Sequence, residues 1–354
     1  MGSLRTLFAI TVVFAHSPWF DGFVFVGGRN AVQLFYIISG FLISHILCSN
    51  PAYKEPWKFY LNRVLRIYPI YYTVALLAMV AIPICNHRMI DFYSSIPGTA
   101  AVFLILSNLL IFGQDWVLFA GVSNGQLVFT TDFLQSDFFL FKGLLIRQAW
   151  TLGVELTFYA LAPFILRNTR LVILLLILSL SIRGFLFSIG LGTDDPWTYR
   201  FFPTELALFL LGALSNQHLL PAWERFISSN GLTWLPRMAT YGMICFCLAY
   251  FLIPVQEIIK MTVLFPVFLI SLPLAFLYQN ESKTDKAIGE LSYPIYIGHL
   301  FIIMILGKII GHHILTTPFL VALGNVFVAV VFAYYLNKYV GRRVENLRLK
   351  VKSS

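Results

Sequence analysis

A small set of ionisable residues lies within long apolar runs of this 354-residue chain. The set comprises His16, Glu155, Arg183, Glu205 and His299, with Arg5 at the entrance to the first run. Charged groups are costly inside a membrane, so such residues are functional candidates by default. An imidazole can act as a general base, and a neighbouring carboxylate can orient it and raise its basicity.

Arg5 and His16 share one face of the first apolar segment. They are eleven residues apart, which corresponds to three helical turns and a rise of about 16 Å. Arg5 would lie near the cytoplasmic surface and His16 well inside the bilayer. On spacing alone, the favoured interpretation is structural: a topological charge and an imidazole bonded to a neighbouring helix.

Glu155 lies in the segment 150–159 and shares a helix face with Tyr159, four residues later. The predicted depth of Glu155 is comparable to that of His16, so the two side chains could meet. Two interpretations stay open. Glu155 either orients the imidazole of His16 or belongs to an inert buried ion pair.

Arg63 and Arg66 are three residues apart, so both guanidinium groups point the same way beneath the membrane. On charge alone, the favoured interpretation is anchoring of the cytoplasmic side. The alternative is a site for a phosphate-bearing ligand, because the planar fork of Arg matches phosphate oxygens.

Several other kinds of site have no signature in the sequence. There is no HExxH motif, P-loop, GxSxG elbow or cluster of metal ligands. The four cysteines lie scattered in apolar runs without a CxxC pair. We therefore expect no metal cofactor and no disulfide framework.

The composition indicates whether the segments that carry these residues lie in water or in lipid. Hydrophobic residues make up 58% of the chain and charged residues 12%, and the mean hydropathy is +0.79. A soluble domain has about twice that charged fraction, so the sequence predicts an all-α polytopic membrane protein. The net charge of +9 then indicates cytoplasmic basic loops rather than a nucleic-acid partner.

Ten long apolar runs predict about ten transmembrane helices. They lie near 4–20, 31–48, 68–85, 150–166, 171–190, 202–217, 237–254, 261–278, 291–310 and 318–337. A shorter run at 101–112 is predicted to be re-entrant or interfacial, because only then do the basic loops and both termini lie in the cytoplasm. Residues 1–340 would form one transmembrane domain and 341–354 a basic cytoplasmic tail. His312 and His313 are predicted to be interfacial.

Five ordered pieces of the chain resemble signatures of the acyltransferase 3 family of integral membrane O-acyltransferases. They are Arg5 with His16, the Ser-Gly-Phe run in 35–43, the arginine motif in 63–69, the Trp-x-Leu-x-x-Glu helix in 150–159, and the Ser-Tyr-x-x-Tyr-x-x-His stretch in 289–299. The opening differs from the family's usual Asp-Gly-Leu-Arg-Gly, since Gly2-Ser-Leu-Arg5-Thr stands here. The resemblance implies a ten-helix core without a fused hydrolase-like domain.

The resemblance also implies an activity and a role for each candidate residue. The expected reaction transfers an acetyl group from acetyl-CoA, as co-substrate, to a sugar hydroxyl of an extracytoplasmic glycan such as lipopolysaccharide O-antigen. His16 becomes the catalytic histidine, Arg5 its partner and Glu155 its orienting carboxylate. Arg63 and Arg66 become the ligands of the CoA phosphates. The expected location is the bacterial inner membrane, with membrane lipid and a surface glycan or lipid-linked saccharide as partners.

A different class of protein would use the same residues. In a proton-coupled transporter of an anionic solute, the His, Glu and Arg side chains would form a proton relay. Transporters often show internal repeat symmetry, and no repeat is visible in this sequence. Nothing in the sequence indicates an oligomeric state.

Overall fold

The computed structural model describes residues 1–18, 20, 24–85, 88–310 and 317–353, without the side chains of 88, 310 and 349–353. Within these residues the chain forms fifteen α-helices and one two-stranded sheet. The helices are α1 (Gly2–His16), α2 (Gly28–Ser49), α3 (Pro56–Cys85), α4 (Arg88–Ser95), α5 (Gly98–Leu110), α6 (Trp150–Ile165), α7 (Thr169–Ser188), α8 (Phe202–Leu214), α9 (Leu220–Asn230), α10 (Leu235–Ala249), α11 (Glu257–Glu281), α12 (Lys283–Gly289), α13 (Ser292–Ile310), α14 (Pro318–Leu336) and α15 (Arg342–Ser353). The strands are β1 (Ala120–Ser123) and β2 (Gln126–Phe129). His312 and His313 lie outside the described residues.

Each predicted apolar run coincides with a helix, which confirms an all-α multi-pass membrane protein. In the described part of the chain, seven helical stretches are long and apolar enough to cross a membrane. The predicted spans 4–20, 150–166 and 202–217 correspond to α1, α6 and α8, which have 15, 16 and 13 residues. These helices are shorter than the roughly 20 residues of a typical span. The count of ten and the cytoplasmic termini therefore stay predictions.

Helix α1 lies in the interior of the bundle, packed against α2, α12, α13 and α14. Its Phe8 is fully buried, with its ring 5.9 Å from that of Phe35 and 5.6 Å from that of Phe268. At the N-terminus of α1, the Asp285 carboxylate accepts hydrogen bonds from the backbone N–H groups of Gly2 and Ser3, at 2.7 and 2.9 Å. A carboxylate is favourable at a helix N-terminus, so α12 fixes the end of α1 that carries Arg5.

Helices α2 and α8 cross closely at two glycines. A Cβ atom on Gly40 would lie 1.9 Å from the carbonyl oxygen of Phe209, and one on Gly212 would lie 2.0 Å from that of Ile37. Small residues allow membrane helices to approach at their backbones. Gly40 belongs to the Ser-Gly-Phe run, so this contact fixes the neighbouring Ser39 within the bundle.

The segment between α3 and α6 has a small hydrophobic core of its own, formed by residues including Leu104, Val122 and Leu140. Strands β1 and β2 pair antiparallel through a two-residue turn of Asn124 and Gly125. Both turn residues have positive φ, 50° and 73°, as the tight hairpin turn that suits twisted strands requires.

Helix α5 covers the run predicted to be re-entrant, and it ends beside the middle of α3. The hydroxyl groups of Tyr68, Tyr71 and Tyr72 donate hydrogen bonds to the carbonyls of Leu110, Asn108 and Leu109, respectively. The last carbonyls of a helix have no partner within the helix, and α3 supplies one to each of these three. These contacts fix the end of α5 against α3, and the re-entrant path of this segment stays a prediction.

The chain continues from α14 into α15 through a π-helical turn, Asn337–Gly341. Helix α15 then packs against α3. Residues 341–354 were expected to be a basic tail, and their described part is this helix. Single π-turns often occur at functional sites, and here the turn leads into the helix whose Arg348 side chain lies beside Arg63.

Candidate active site

A cavity of about 740 Å³ lies among α1, α2, α3, α6, α13 and α15. Its described lining contains six cationic side chains and three carboxylates. The cations are Arg5, Arg63, Arg66, Lys286, Arg342 and Arg348, and the carboxylates are Glu155, Glu290 and Glu345. The excess of positive charge makes one end of this cavity suited to an anion.

At the cationic end, one amide oxygen holds two guanidinium groups together. The Nη2 atom of Arg63 donates to Oδ1 of Asn62 at 2.6 Å, and Nη2 of Arg348 donates to the same oxygen at 3.3 Å. The Arg63 guanidinium also lies over the rings of Phe59 and Tyr159, at 5.7 and 5.8 Å. Arg63 is only 5% exposed, so this charge is held within the protein.

Glu155 lies in the middle of the cavity wall. Its Oε1 atom accepts a hydrogen bond from Ser39 Oγ at 2.5 Å and another from the hydroxyl of Tyr159. Among the contacts of the described residues, none joins Glu155 to His16. The two candidates share the bundle, but Glu155 is bound to α2 and to its own helix rather than to the imidazole it was expected to orient.

The opposite end of the cavity, called its outer end in contrast to the cationic inner end, reaches Thr151 and Tyr296, whose side-chain oxygens are 2.9 Å apart. Gln148 fixes α13 here, because its Nε2 atom donates to the carbonyl of Ile297 at 2.7 Å. The ring of Tyr296 lies 5.9 Å from the ring of His299. One layer of side chains therefore separates the cavity from a second group of residues.

That second group is a pair of imidazoles, with the rings of His16 and His299 5.0 Å apart. In each ring, Nδ1 lies near a backbone carbonyl, that of Val12 at 2.9 Å for His16 and that of Tyr296 at 2.6 Å for His299. A carbonyl only accepts, so Nδ1 carries the proton and Nε2 of a neutral ring is free to accept one. The side chain of His16 is exposed, whereas His299 is fully buried.

Arg5 and His16 occupy different parts of this arrangement. Arg5 lines the cavity, and His16 lies beyond its outer end, beside His299. The predicted alignment along one helix is present, but it joins two regions rather than one contact. Arg5 therefore belongs to the wall of the cavity, on the same helix as His16 but not in contact with it.

The sequence did not assign partners to Arg183 and Glu205, and the structure pairs them. The distance from Arg183 Nη2 to Glu205 Oε1 is 2.6 Å, and Gln33 Nε2 also donates to the Glu205 carboxylate, at 3.1 Å to Oε2. Neither residue is among the described lining of the cavity. This pair is therefore best explained as a bond between α7 and α8.

Sequence reasoning missed the positions of Arg348, Lys286 and Ser39 in the cavity wall. Ser39 and His299 lie in segments that carry the family resemblance, so a signal for them existed. Arg348 had none beyond its charge. Within the described residues, no group of three or more His, Cys, Asp or Glu side chains could hold a metal ion.

Comparison with known families decides between the classes of protein that these residues allow. A family model described as an acyltransferase domain matches residues 2–338. The chain belongs to the acyltransferase 3 family. No curated protein and no solved structure matches it.

Membership makes this protein a membrane acyltransferase rather than a transporter. The match includes Arg5, His16, Arg63, Arg66 and Glu155, and it ends before α15. The cationic end of the cavity thus combines two arginines from the matched region with Arg342 and Arg348, which lie beyond it.

Proposed function

We propose that this acyltransferase transfers an acetyl group from cytoplasmic acetyl-CoA to a sugar hydroxyl of an extracytoplasmic glycan, such as lipopolysaccharide O-antigen, in the bacterial inner membrane. The observation that carries the proposal is the course of the cavity. It leads from an arginine cluster to Tyr296, one side chain away from the imidazoles of His16 and His299.

The two ends of the cavity suit the two ends of an acyl-CoA donor. Arg63 and Arg66 would bind phosphate oxygens by charge-assisted hydrogen bonds. Between the ends, the wall contains apolar side chains such as Val32, Phe35 and Ile38, which suit a thin, largely uncharged arm. The acyl thioester would then lie near Tyr296.

His16 would act as the general base in direct transfer. Its Nε2 atom takes the proton of the acceptor hydroxyl as the hydroxyl oxygen attacks the thioester carbonyl. The carbon–sulfur bond breaks when the tetrahedral intermediate collapses, and the imidazolium of His16 returns the proton to the departing thiolate. An acyl-enzyme route would use the same base, first on a protein nucleophile and then on the acceptor.

Glu155 would support the donor side of this reaction. Its carboxylate holds Ser39 and Tyr159 in the cavity wall, and the ring of Tyr159 lies under Arg63. A carboxylate in this position links the phosphate-binding end to the reactive end. We therefore assign to Glu155 the positioning of the cavity wall rather than of the imidazole.

The test is acetyl transfer by purified protein in lipid nanodiscs, with radiolabelled acetyl-CoA and isolated deacetylated surface glycan. We expect label in the glycan, and mass spectrometry should show one acetyl increment that disappears when the protein is omitted. Transfer to an amine, transfer of a longer acyl group only, or binding of neither substrate would contradict the proposal.

A further inference from the structure

Arg348 belongs to a part of the chain that the family model does not cover, yet the residue is only 7% exposed and lines the cavity. One Nη atom donates to Glu345 and the other to Asn62. Asn62 is also the acceptor for Arg63. The C-terminal helix thus brings a guanidinium group to the arginine motif of α3.

The charges at this place are not balanced by the protein. Arg348 is paired with Glu345, and among the described ion pairs none provides a carboxylate for Arg63. The Nε atoms of both arginines are buried, and no partner for either is found within the described residues. Burying a charged donor without a partner is costly. Two such donors beside one another therefore favour a bound anion.

We propose that Arg348 is a phosphate ligand of the donor site, so that the site is completed by α15 as well as by the arginines of α3. The ligand has the chemistry of a phosphate monoester or diphosphate, as at the nucleotide end of CoA. This inference rests on the proposed acyl-CoA donor. Arg342 also lines the cavity, and the π-helical turn at Asn337–Gly341 leads into α15, which packs on α3.

Glu345 has a definite part in this arrangement. It forms an ion pair with Arg348, so it would compete with a bound phosphate for the same guanidinium group. Removing its charge should therefore strengthen anion binding. A purely structural Arg348, held in place by Glu345 to brace α15 on α3, would respond in the opposite direction.

The experiment measures the dissociation constant for CoA in phosphatidylcholine nanodiscs. Arg348→Gln should weaken binding about 10- to 100-fold, the usual worth of a hydrogen bond to a charged group. Arg343→Gln is the matched control, because Arg343 is an exposed residue of the same helix outside the described cavity lining. This variant should bind CoA with wild-type affinity. Arg348→Lys should recover part of the loss.

Three results would overturn the proposal while leaving the acyl-CoA donor intact. The first is wild-type CoA affinity in Arg348→Gln together with weakened affinity in Arg63→Gln. The second is weaker rather than tighter CoA binding in Glu345→Gln. The third is obtained in nanodiscs that also contain phosphatidylglycerol: Arg348→Gln retains less of this lipid than the wild type but binds CoA with unchanged affinity. That result would identify a lipid headgroup as the anion. By contrast, absence of CoA binding in the wild-type protein would contradict the proposed function itself.

Discussion

The two ends of the cavity differ in how many side chains share a task. At the inner end, Arg63, Arg66 and Arg348 come from two distant parts of the chain, and two of them share a single acceptor. At the outer end, the Nε2 atom of one exposed imidazole has no hydrogen-bond partner among the described residues, and this ring lies next to one buried imidazole. Binding distributed over several cations should weaken gradually on mutation, whereas chemistry that depends on one base should be lost in a single step.

The largest expected effect concerns that single base. His16→Ala should lower acetyl transfer to the glycan by roughly 10²–10⁴-fold, the usual contribution of general acid–base catalysis. Acetyl-CoA affinity should stay unchanged, because His16 is not among the described residues that line the cavity. The measurements are the transfer rate and the donor dissociation constant on the same preparation.

His299→Ala provides the comparison for this variant. His299 is buried, and its Nδ1 atom is bound within its own helix, so its loss should lower transfer less than the loss of His16. Full activity in His16→Ala would assign the base elsewhere. If His16→Ala loses both donor binding and acetyl transfer, His16 is a structural part of the donor path.

The next effect concerns the inner end. Replacing both Arg63 and Arg66 by Ala should weaken acetyl-CoA binding, because each charge-assisted contact contributes about 1.5–3 kcal/mol. Lys at both positions should recover only part of the affinity, since the ammonium group lacks the planar fork. Titration of the purified variants with acetyl-CoA checks this expectation.

A matched control removes two arginines elsewhere. Arg225 and Arg237 are exposed, are also predicted to face the cytoplasm, and are not among the described lining of the cavity. Their double Ala variant should bind acetyl-CoA like the wild type. If the two double variants behave alike, Arg63 and Arg66 only anchor the protein at the membrane surface.

The fold was largely predictable because long apolar runs form helices in lipid, where the backbone must satisfy its own hydrogen bonds. The number of full spans was less predictable. Helices α1, α6 and α8 are short, and hydropathy measures the apolar length of a run rather than where its helix ends. Motif order located His16 and Arg63, because both lie in segments that resemble the family.

Contacts between distant parts of the chain had no comparable signal. Arg348 lies 285 residues after Arg63 in the sequence, and only the packing of α15 on α3 brings them together. The same holds for the partners of Glu155. Spacing placed this residue at a depth similar to that of His16, but it could not show that the Ser39 hydroxyl would donate to the carboxylate instead. Helix rotation about its own axis decides such contacts, and periodicity does not fix it.

A smaller effect is expected at Glu155, which lies between the two ends. Glu155→Gln keeps an oxygen that can accept from Ser39 and Tyr159, and loses only the charge of the acceptor. The loss should be about 1 kcal/mol, or roughly fivefold, and it should affect donor affinity more than the rate at saturating donor. Steady-state kinetics with varied acetyl-CoA separate the two.

The control for this variant is Glu281→Gln, the same chemical change at an exposed residue that is not among the described lining of the cavity. It should leave both constants unchanged. A drop in the saturated rate as large as that of His16→Ala would return Glu155 to the role of orienting the catalytic imidazole.

The smallest effect on activity is expected at the scaffold of the outer end, where the change acts on stability rather than on chemistry. Asp115 follows α5, lies against Gly153 of α6 and is 2% exposed. Its Oδ1 atom is buried, with no hydrogen-bond partner found in the described structure. Burial raises the pKa of the Asp115 carboxyl group from 3.8 to about 7, so the folded protein holds a proton here that the unfolded chain releases at lower pH.

This difference gives the stability a defined dependence on pH. A raised folded-state pKa contributes stability that is fully present below pH 3.8 and is lost as the pH rises through about 7. Asp115→Asn has no ionisable group there. Its melting temperature relative to that of the wild type should therefore rise between pH 3.8 and about 7 and stay higher at more alkaline pH. Asp137→Asn, at an exposed carboxyl group of the same segment, is the control. If the difference in melting temperature between wild type and Asp115→Asn stays constant from pH 4 to 8, Asp115 is ionised in the folded protein and the outer end tolerates its charge.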